Sequence, residues 1–171
     1  MEGRTPGDQV NSDFRSFTFD NLSISKGKHE ARSYIKIQDG CDNFCSYCIV
    51  PYSRGRSRSR NHQSIMEEMK RLLDNGVKEI IIGGIDVGSY EDPHEEKAYR
   101  LKNLLREMAE YAPEKHFRIR VSSIECSQID DEYISLFHDY PNRLCPHFHI
   151  PLQSGSEKIL IKMNRKYRLE D

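Results

Sequence analysis

Apolar and polar residues first alternate regularly at Tyr34-Ile35-Lys36-Ile37, a run closed by Asp39-Gly40 that predicts a short strand. Helical spacing follows. Ile65, Met69, Leu72 and Leu73 fall on one face, Ser64-Ile-Met-Glu67 matches a capping box at its start, and Asn75-Gly76 stops it. Ile80-Ile81-Ile82 is a continuous β-branched run, expected of a strand covered on both faces in a parallel sheet, and it ends in Gly83-Gly84. Leu101, Leu104, Leu105 and Met108 define a second helix after a polar loop. Phe117 to Val121 reads as a third strand with arginines alternating through it, and Ile129 to His138 as a third helix. His147 to Leu152 reads as a fourth strand. Ser156 opens a last helix, with Ile159, Leu160 and Met163 on one side and the Ser156 side chain available as its cap.

Strand and helix therefore alternate through four units, which implies right-handed crossovers and a parallel α/β sheet. Each unit spans about 30 to 35 residues, in line with roughly 250 residues for the eight units of a complete barrel. Residues 33–171 then form one domain, a partial TIM-type (β/α) barrel holding only about the first four units, with the chain expected to stop before the fold does. Residues 1–32 lack periodicity. Phe14, Phe17 and Phe19 alternate there and suggest a short strand, but Gly, Asn, Ser and Asp surround them, so this stretch is expected to be a poorly structured arm or linker.

Composition narrows the class. The 171 residues suffice for one domain with a real core, and 31% charged against 36% hydrophobic residues is far from a disordered composition. A formal net charge of −1 supplies no global basic field, so any nucleic-acid surface has to be local. The absence of a long apolar run or a charged-then-apolar leader predicts a cytoplasmic protein with no membrane partner. Five cysteines without a regular framework read as ligands and bystanders in a reducing compartment, not as disulfides.

Three of those cysteines carry the chemistry: Cys41-Asp-Asn-Phe-Cys45-Ser-Tyr-Cys48, in one loop after the first strand. A closed structural zinc site is filled by four protein ligands, whereas a cubane iron–sulfur cluster takes one thiolate per iron. Three thiolates leave one iron open to a substrate or cosubstrate. The bland alternatives are a zinc knuckle with a distant histidine as fourth ligand, or plain buried thiols. Cys126 and Cys145 read as ordinary half-buried cysteines. Arg54, Arg56, Arg58 and Arg60 alternate with small residues just after the loop. They suit phosphate contacts with RNA as well as they suit a solvated face.

The trio, with Tyr47 as the aromatic residue before the last cysteine, resembles the signature of radical S-adenosylmethionine (SAM) enzymes. Tyr34 to Cys41, Cys48-Ile-Val-Pro-Tyr-Ser-Arg-Gly55, Gly83 to Tyr90, His149-Ile-Pro-Leu-Gln-Ser-Gly-Ser156 and Met163-Asn-Arg-Lys-Tyr167 together resemble the methylthiotransferase branch. Within it, the wording is most like the enzymes that modify threonylcarbamoyl-adenosine beside the tRNA anticodon. The resemblance implies a 4Fe–4S cluster on Cys41, Cys45 and Cys48, with SAM chelating the fourth iron. One electron then cleaves the sulfonium to a 5′-deoxyadenosyl radical, which opens carbon 2 of adenine to methylthiolation.

It further implies cofactor contacts at Tyr47, Gly83, Gly84, Asp86, Ser123, Glu125 and Gln153, the last against ribose hydroxyls. Ile85 stands where the family's two-glycine motif has an acidic residue, and Asp86 is the nearby substitute. Gln153 shares strand parity with His147 and His149, so all three are expected on one side. The implied partners are tRNA and an electron donor such as flavodoxin or ferredoxin. The family's preceding domain holds a second 4Fe–4S cluster, and residues 1–32 contain no cysteine for it. Two other readings stay open: a non-catalytic metal- or RNA-binding fragment, and a methylthiotransferase for isopentenyl-adenosine or a ribosomal protein.

Overall fold

In the computed structural model of the chain, which describes residues 31–171, alternate residues of β1 (Arg32–Lys36) turn inward, Ser33 and Ile35 being buried. The expected strand at Phe14–Phe19 and most of the expected arm lie outside the described residues. After β1, the short β2 (Gln38–Asp39) is followed by the cysteine loop and by α1 (Val50–Ser53), whose Pro51 sits in the first turn, where a missing N–H costs nothing. β3 (Arg58–Ser59) returns antiparallel to β2, so a two-stranded ribbon ties off the base of the cysteine loop.

Helix α2 (His62–Asp74) buries Ile65, Met69, Leu72 and Leu73, the face read from the sequence. A helix of this length is marginal by itself in water, and burying each large apolar side chain contributes about 1.5–3 kcal/mol, so docking holds it. It starts earlier than the sequence suggests. Asn61 is the cap, its side chain accepting the Ser64 N–H at 3.1 Å, while the Ser64 hydroxyl serves the Arg60 guanidinium instead.

β4 (Glu79–Gly83) lies at the centre of a three-stranded parallel sheet of order β1-β4-β5, with Ile35 opposite Ile82 and Ile80 opposite Ile119. Ile80, Ile81 and Ile82 are all buried, as a central parallel strand requires. Helix α3 (Leu101–Glu110) packs Leu104, Leu105 and Met108 into the same core. β5 (Arg118–Val121) follows, with Ile119 and Val121 inward; Arg120 bonds Glu79 at 2.8 Å, which explains how arginines alternate through a sheet strand. Helix α4 (Asp131–Asp139) is capped by Asp130, which accepts the Tyr133 N–H at 2.8 Å.

The fourth strand does not form as a strand. Its place is held by two isolated parallel bridges, Ile119 with Leu144 and Ser123 with His149. Pro146 and Pro151 bracket the segment and have no N–H to give a ladder. Phe148 anchors it, its ring tilted 48° against that of Phe137 of α4 with centroids 4.7 Å apart. The last helix, α5 (Glu157–Lys162), buries Leu160 and has no side-chain cap: Ser156 donates its N–H to the Ser154 hydroxyl at 3.1 Å.

Candidate functional site

The C-terminal ends of the strands converge on the cysteine loop, the end of a parallel sheet at which α/β folds place their ligands. Gly40 starts the loop with φ +70°, and a Cβ there would stand 2.0 Å from the Arg56 carbonyl oxygen, so only glycine lets the loop leave the sheet this way. Phe44, inside the loop, also holds a left-handed φ of +48°, a conformation a bulky residue keeps only when its surroundings impose it. The imposing contacts are visible. Asn164 donates to the Asn43 and Phe44 carbonyls at 3.3 and 3.0 Å, and the Ser46 N–H donates to the Met163 carbonyl at 3.0 Å. The turn after α5 thus clamps the loop from the far end of the sequence.

Gln38 joins the loop to the next strand end. Its fully buried amide donates to the carbonyls of Asp39 and Gly40 and to the Ser57 hydroxyl, and accepts the Ile85 and Asp86 N–H groups at 3.0 and 2.8 Å. One side chain therefore fixes the approach to Cys41 and the Gly84-Ile85-Asp86 turn together.

Cys41, Cys45 and Cys48 line one cavity of about 370 Å³ with Asn43, Tyr47, Gly84, Ile85, Asp86, Ser123, Glu125, Gln153 and Arg165 among its walls. The Asn43 N–H points at the Cys41 sulfur at 3.4 Å, the kind of bond that favours a thiolate. Burial nevertheless pushes the Cys41 thiol up to about 11, with Asp86, Cys45 and Glu125 adding to the rise. Coordination to a metal is what deprotonates such a thiol outright at neutral pH.

Acidic and amide groups line the cavity beside the thiols, Asp86 Oδ2 lying 3.9 Å from the Cys41 sulfur. Asp86 accepts from Gln128 at 2.8 Å and from Asn43 at 3.3 Å. Glu125 accepts from Arg165 at 2.6 Å; burial raises its carboxyl pKa, the Arg165 charge opposes the rise and the Asp86 charge adds to it.

The donor set suits a 4Fe–4S cluster: three soft thiols line one cavity together with oxygen acceptors. Among the described residues no three His, Cys, Asp or Glu side chains stand close enough to hold a single metal ion, an arrangement that one thiolate per iron does not require.

The structure brings together Cys41, Cys45, Cys48, Tyr47, Gly84, Asp86, Ser123, Glu125 and Gln153. Gly83 stays outside: it belongs to β4, its carbonyl accepting the Ile37 N–H at 2.9 Å, so its backbone is committed to the sheet. Gln153 reaches the cavity through a left-handed turn, φ +60°, and not through strand parity with His147 and His149, since no strand is formed there.

The arginine run divides. Arg60 is buried and paired with Glu68, and Arg58 bonds Asp39 at 2.9 Å and the Arg54 carbonyl, so both build the ribbon, contrary to a row of RNA-facing cations. Arg54 and Arg56 are exposed beside the loop. Cys145 is buried, and Cys126 lies in a short turn outside the cavity. Sequence reasoning missed Asn43, Gln38, Gln128 and Arg165. Three of them lay inside stretches already singled out, Gln38 in Tyr34 to Cys41, Asn43 in the cysteine loop and Arg165 in Met163–Tyr167; Gln128 carried no signal.

A larger hollow, about 880 Å³, opens at the other end of the sheet. It holds no cysteine, and several of its charged groups are already engaged: Arg32 with Glu79 at 3.4 Å, Lys115 with Asp74, and Arg143 with the Ala112 carbonyl. The chemistry is at the cysteine end.

A family model, the Radical SAM superfamily, matches residues 35–171. The chain belongs to that superfamily. Membership implies a 4Fe–4S cluster and SAM as cofactors. This radical SAM chain is 39% identical over 169 residues to the threonylcarbamoyladenosine tRNA methylthiotransferase MtaB of Bacillus subtilis, covering 99% of the chain and 37% of that protein. It is 43% identical over 137 residues to a tRNA-2-methylthio-N(6)-dimethylallyladenosine synthase of Phocaeicola vulgatus, covering 80% of the chain and 29% of the relative. The chain thus spans little more than a third of the length of such relatives.

Among solved structures, the radical SAM methyltransferase TsrM of Kitasatospora setae, with tryptophan and a SAM analogue bound, aligns at TM-score 0.62 and 20% identity. That alignment covers 81% of this chain and 26% of TsrM, and it shows a shared fold. Among the described residues no helix is long and apolar enough to cross a membrane.

Proposed function

We propose that the chain is the catalytic core of a cytoplasmic tRNA methylthiotransferase acting on carbon 2 of threonylcarbamoyl-adenosine beside the anticodon. The observation that carries the reading is the single cavity in which three cysteine thiols face Gly84, Asp86, Glu125 and Gln153. When bound there, the cluster and SAM supply one-electron cleavage of a carbon–sulfur bond and hydrogen abstraction from an unreactive C–H.

The chain's own residues do the holding. Cys41, Cys45 and Cys48 are the ligands of three irons. Gly84 lines the cavity, and its missing side chain leaves room for Gln38, whose atoms a Cβ would meet at 3.0–3.1 Å; Asp86 and Glu125 offer carboxylate oxygens to the ammonium of SAM. Ser123 and Gln153 offer hydrogen bonds to ribose hydroxyls, and the Tyr47 ring, half exposed at the rim, helps close the cavity to water. Asn43, by its N–H to the Cys41 sulfur, favours the thiolate that iron requires.

Arg54 and Arg56 are exposed cations near this mouth that could turn to tRNA phosphates, Arg56 by leaving Asp42 at 2.7 Å and Arg54 by leaving Asp39 at 3.9 Å. The electron would come from a small donor such as flavodoxin or ferredoxin. The higher identity to the dimethylallyladenosine synthase supports a second reading, in which the substrate is isopentenyl-adenosine.

Anaerobic reconstitution with iron and sulfide, then incubation with SAM and dithionite, tests the proposal. The expected product is 5′-deoxyadenosine from the wild type and none from Cys45→Ala. A loaded protein that binds SAM without releasing it would overturn the catalytic reading. Presenting tRNA carrying either modified adenosine to the whole protein then separates the two substrates.

A further inference from the structure

Arg165 is the buried cation of the cysteine cavity, and nothing above gives it a task. Asn164, with φ +55°, reverses the chain after α5, and the Arg165 N–H closes the turn on the Leu160 carbonyl at 3.0 Å, which aims the side chain inward. The guanidinium lies 4.9 Å from the centre of the Tyr167 ring, a stacking that fixes its plane. One terminal nitrogen donates to the Cys45 sulfur and to the Tyr47 hydroxyl, both at 3.2 Å; the other donates to Glu125 at 2.6 Å. Its Nε is buried without a partner, and the side chain is only 5% exposed. Glu125 compensates the buried charge, and the donor on the Cys45 sulfur is the one turned to the cysteine loop.

We propose that Arg165 is a positioning residue that sets the redox poise of the cysteine-held cluster, by donating a charged N–H to the Cys45 sulfur. The inference rests on the cluster-binding reading above. In the step concerned, a low-potential one-electron donor loses one electron and the cluster gains it, so the negative charge shared with the three sulfurs rises by one. Hydrogen bonds to the sulfurs and nearby charge are what tune such potentials, and a donor stabilises the more negative form more. Glu125 holds the fork in place. The guanidinium's five-donor plane lets it serve a sulfur and a carboxylate at once, which an ammonium at the end of a lysine cannot copy.

The test is a redox titration of the reconstituted chain, followed by electron paramagnetic resonance of the reduced cluster. Arg165→Met is expected to lower the reduced-to-oxidised ratio at a given potential about tenfold, a shift of about 59 mV to more negative potential for one electron. Arg165→Lys, which keeps a buried cation and guards against misfolding, is expected to shift part of the way. The double variant Arg165→Met with Glu125→Gln leaves the net charge of the pair unchanged and is expected to stay shifted, because the N–H to sulfur bond is gone.

A double variant that returns to the wild-type potential overturns the inference in favour of bulk charge, and single variants that titrate like wild type overturn it outright. If the wild type takes up no cluster, or its spectrum ignores SAM, the reading of the cavity falls first. If those hold and the potentials do not move, only the role of Arg165 falls.

Discussion

Replacing Gln38 by leucine probes how the two halves of the cavity are held in register. The two amide hydrogens are shared among three acceptors, the amide oxygen accepts two N–H groups, and the side chain is fully buried. Leucine fits the volume but leaves the Ile85 and Asp86 N–H groups and the Gly40 carbonyl without their partner. An unsatisfied buried group costs about 1–3 kcal/mol. Ile85 is 39% exposed, so water can replace part of what is lost on that side. The expected destabilisation is therefore about 2–4 kcal/mol, close to the lower end of the simple sum. For a chain of this size each kcal/mol lowers Tm by about 2–4 °C, so the melting point should fall by roughly 5–15 °C.

Urea unfolding followed by circular dichroism measures the change directly, with an unchanged slope showing that the denatured state is not the cause. A loss below about 1 kcal/mol, within the range of a single surface substitution, would refute the idea that this amide ties the cysteine loop to the Gly84–Asp86 turn.

Gly40→Ala should cost about 2–5 kcal/mol, since it adds both a left-handed alanine and a backbone clash, whereas Gly76→Ala, also at positive φ but with open space, should cost about 1 kcal/mol; equal losses would contradict the contact with Arg56. Arg60→Met removes the cation that pairs with buried Glu68 and should cost about 3–5 kcal/mol, part of it recovered by adding Glu68→Leu. Asp39 is desolvated, yet the Lys36 bond, the Gly40 N–H and the Lys36 and Arg58 charges hold its pKa below the ordinary value. Its contribution to stability is thus present at neutral pH and lost as pH falls below about 4, and Asp39→Asn should flatten the unfolding free energy between pH 5 and 3. In the whole protein Arg56→Glu should weaken tRNA binding and reduce its salt slope by about one phosphate; an unchanged slope would remove Arg56 from the RNA path.

Local patterning exposed most of the fold. The helical face of α2 and the isoleucine run of β4 were legible because each residue's burial follows from period alone, 3.6 or continuous. The fourth strand misled because His147–Leu152 has strand-like composition, while its two flanking prolines remove the N–H groups that pairing needs. The cysteines were legible because three ligands in one loop need no tertiary information. Arg60 and Arg165 show the opposite limit. Both look like surface cations in sequence, and only the folded contacts, Glu68 for one and Cys45 with Glu125 for the other, put them inside. Gln38 lies in the quoted Tyr34 to Cys41 stretch, but its role is not legible there, because the Ile85 and Asp86 N–H groups it accepts are more than forty residues away.

The most direct test of the account is the electron paramagnetic resonance spectrum of the anaerobically reconstituted, dithionite-reduced chain before and after adding SAM. Three protein thiolates on four irons leave one iron to the cosubstrate, so SAM should change the spectrum, and Cys45→Ala should give neither the cluster signal nor the change. A fully formed cluster whose spectrum is the same with and without SAM would contradict an open iron facing Gly84, Asp86 and Glu125, and with it the central claim.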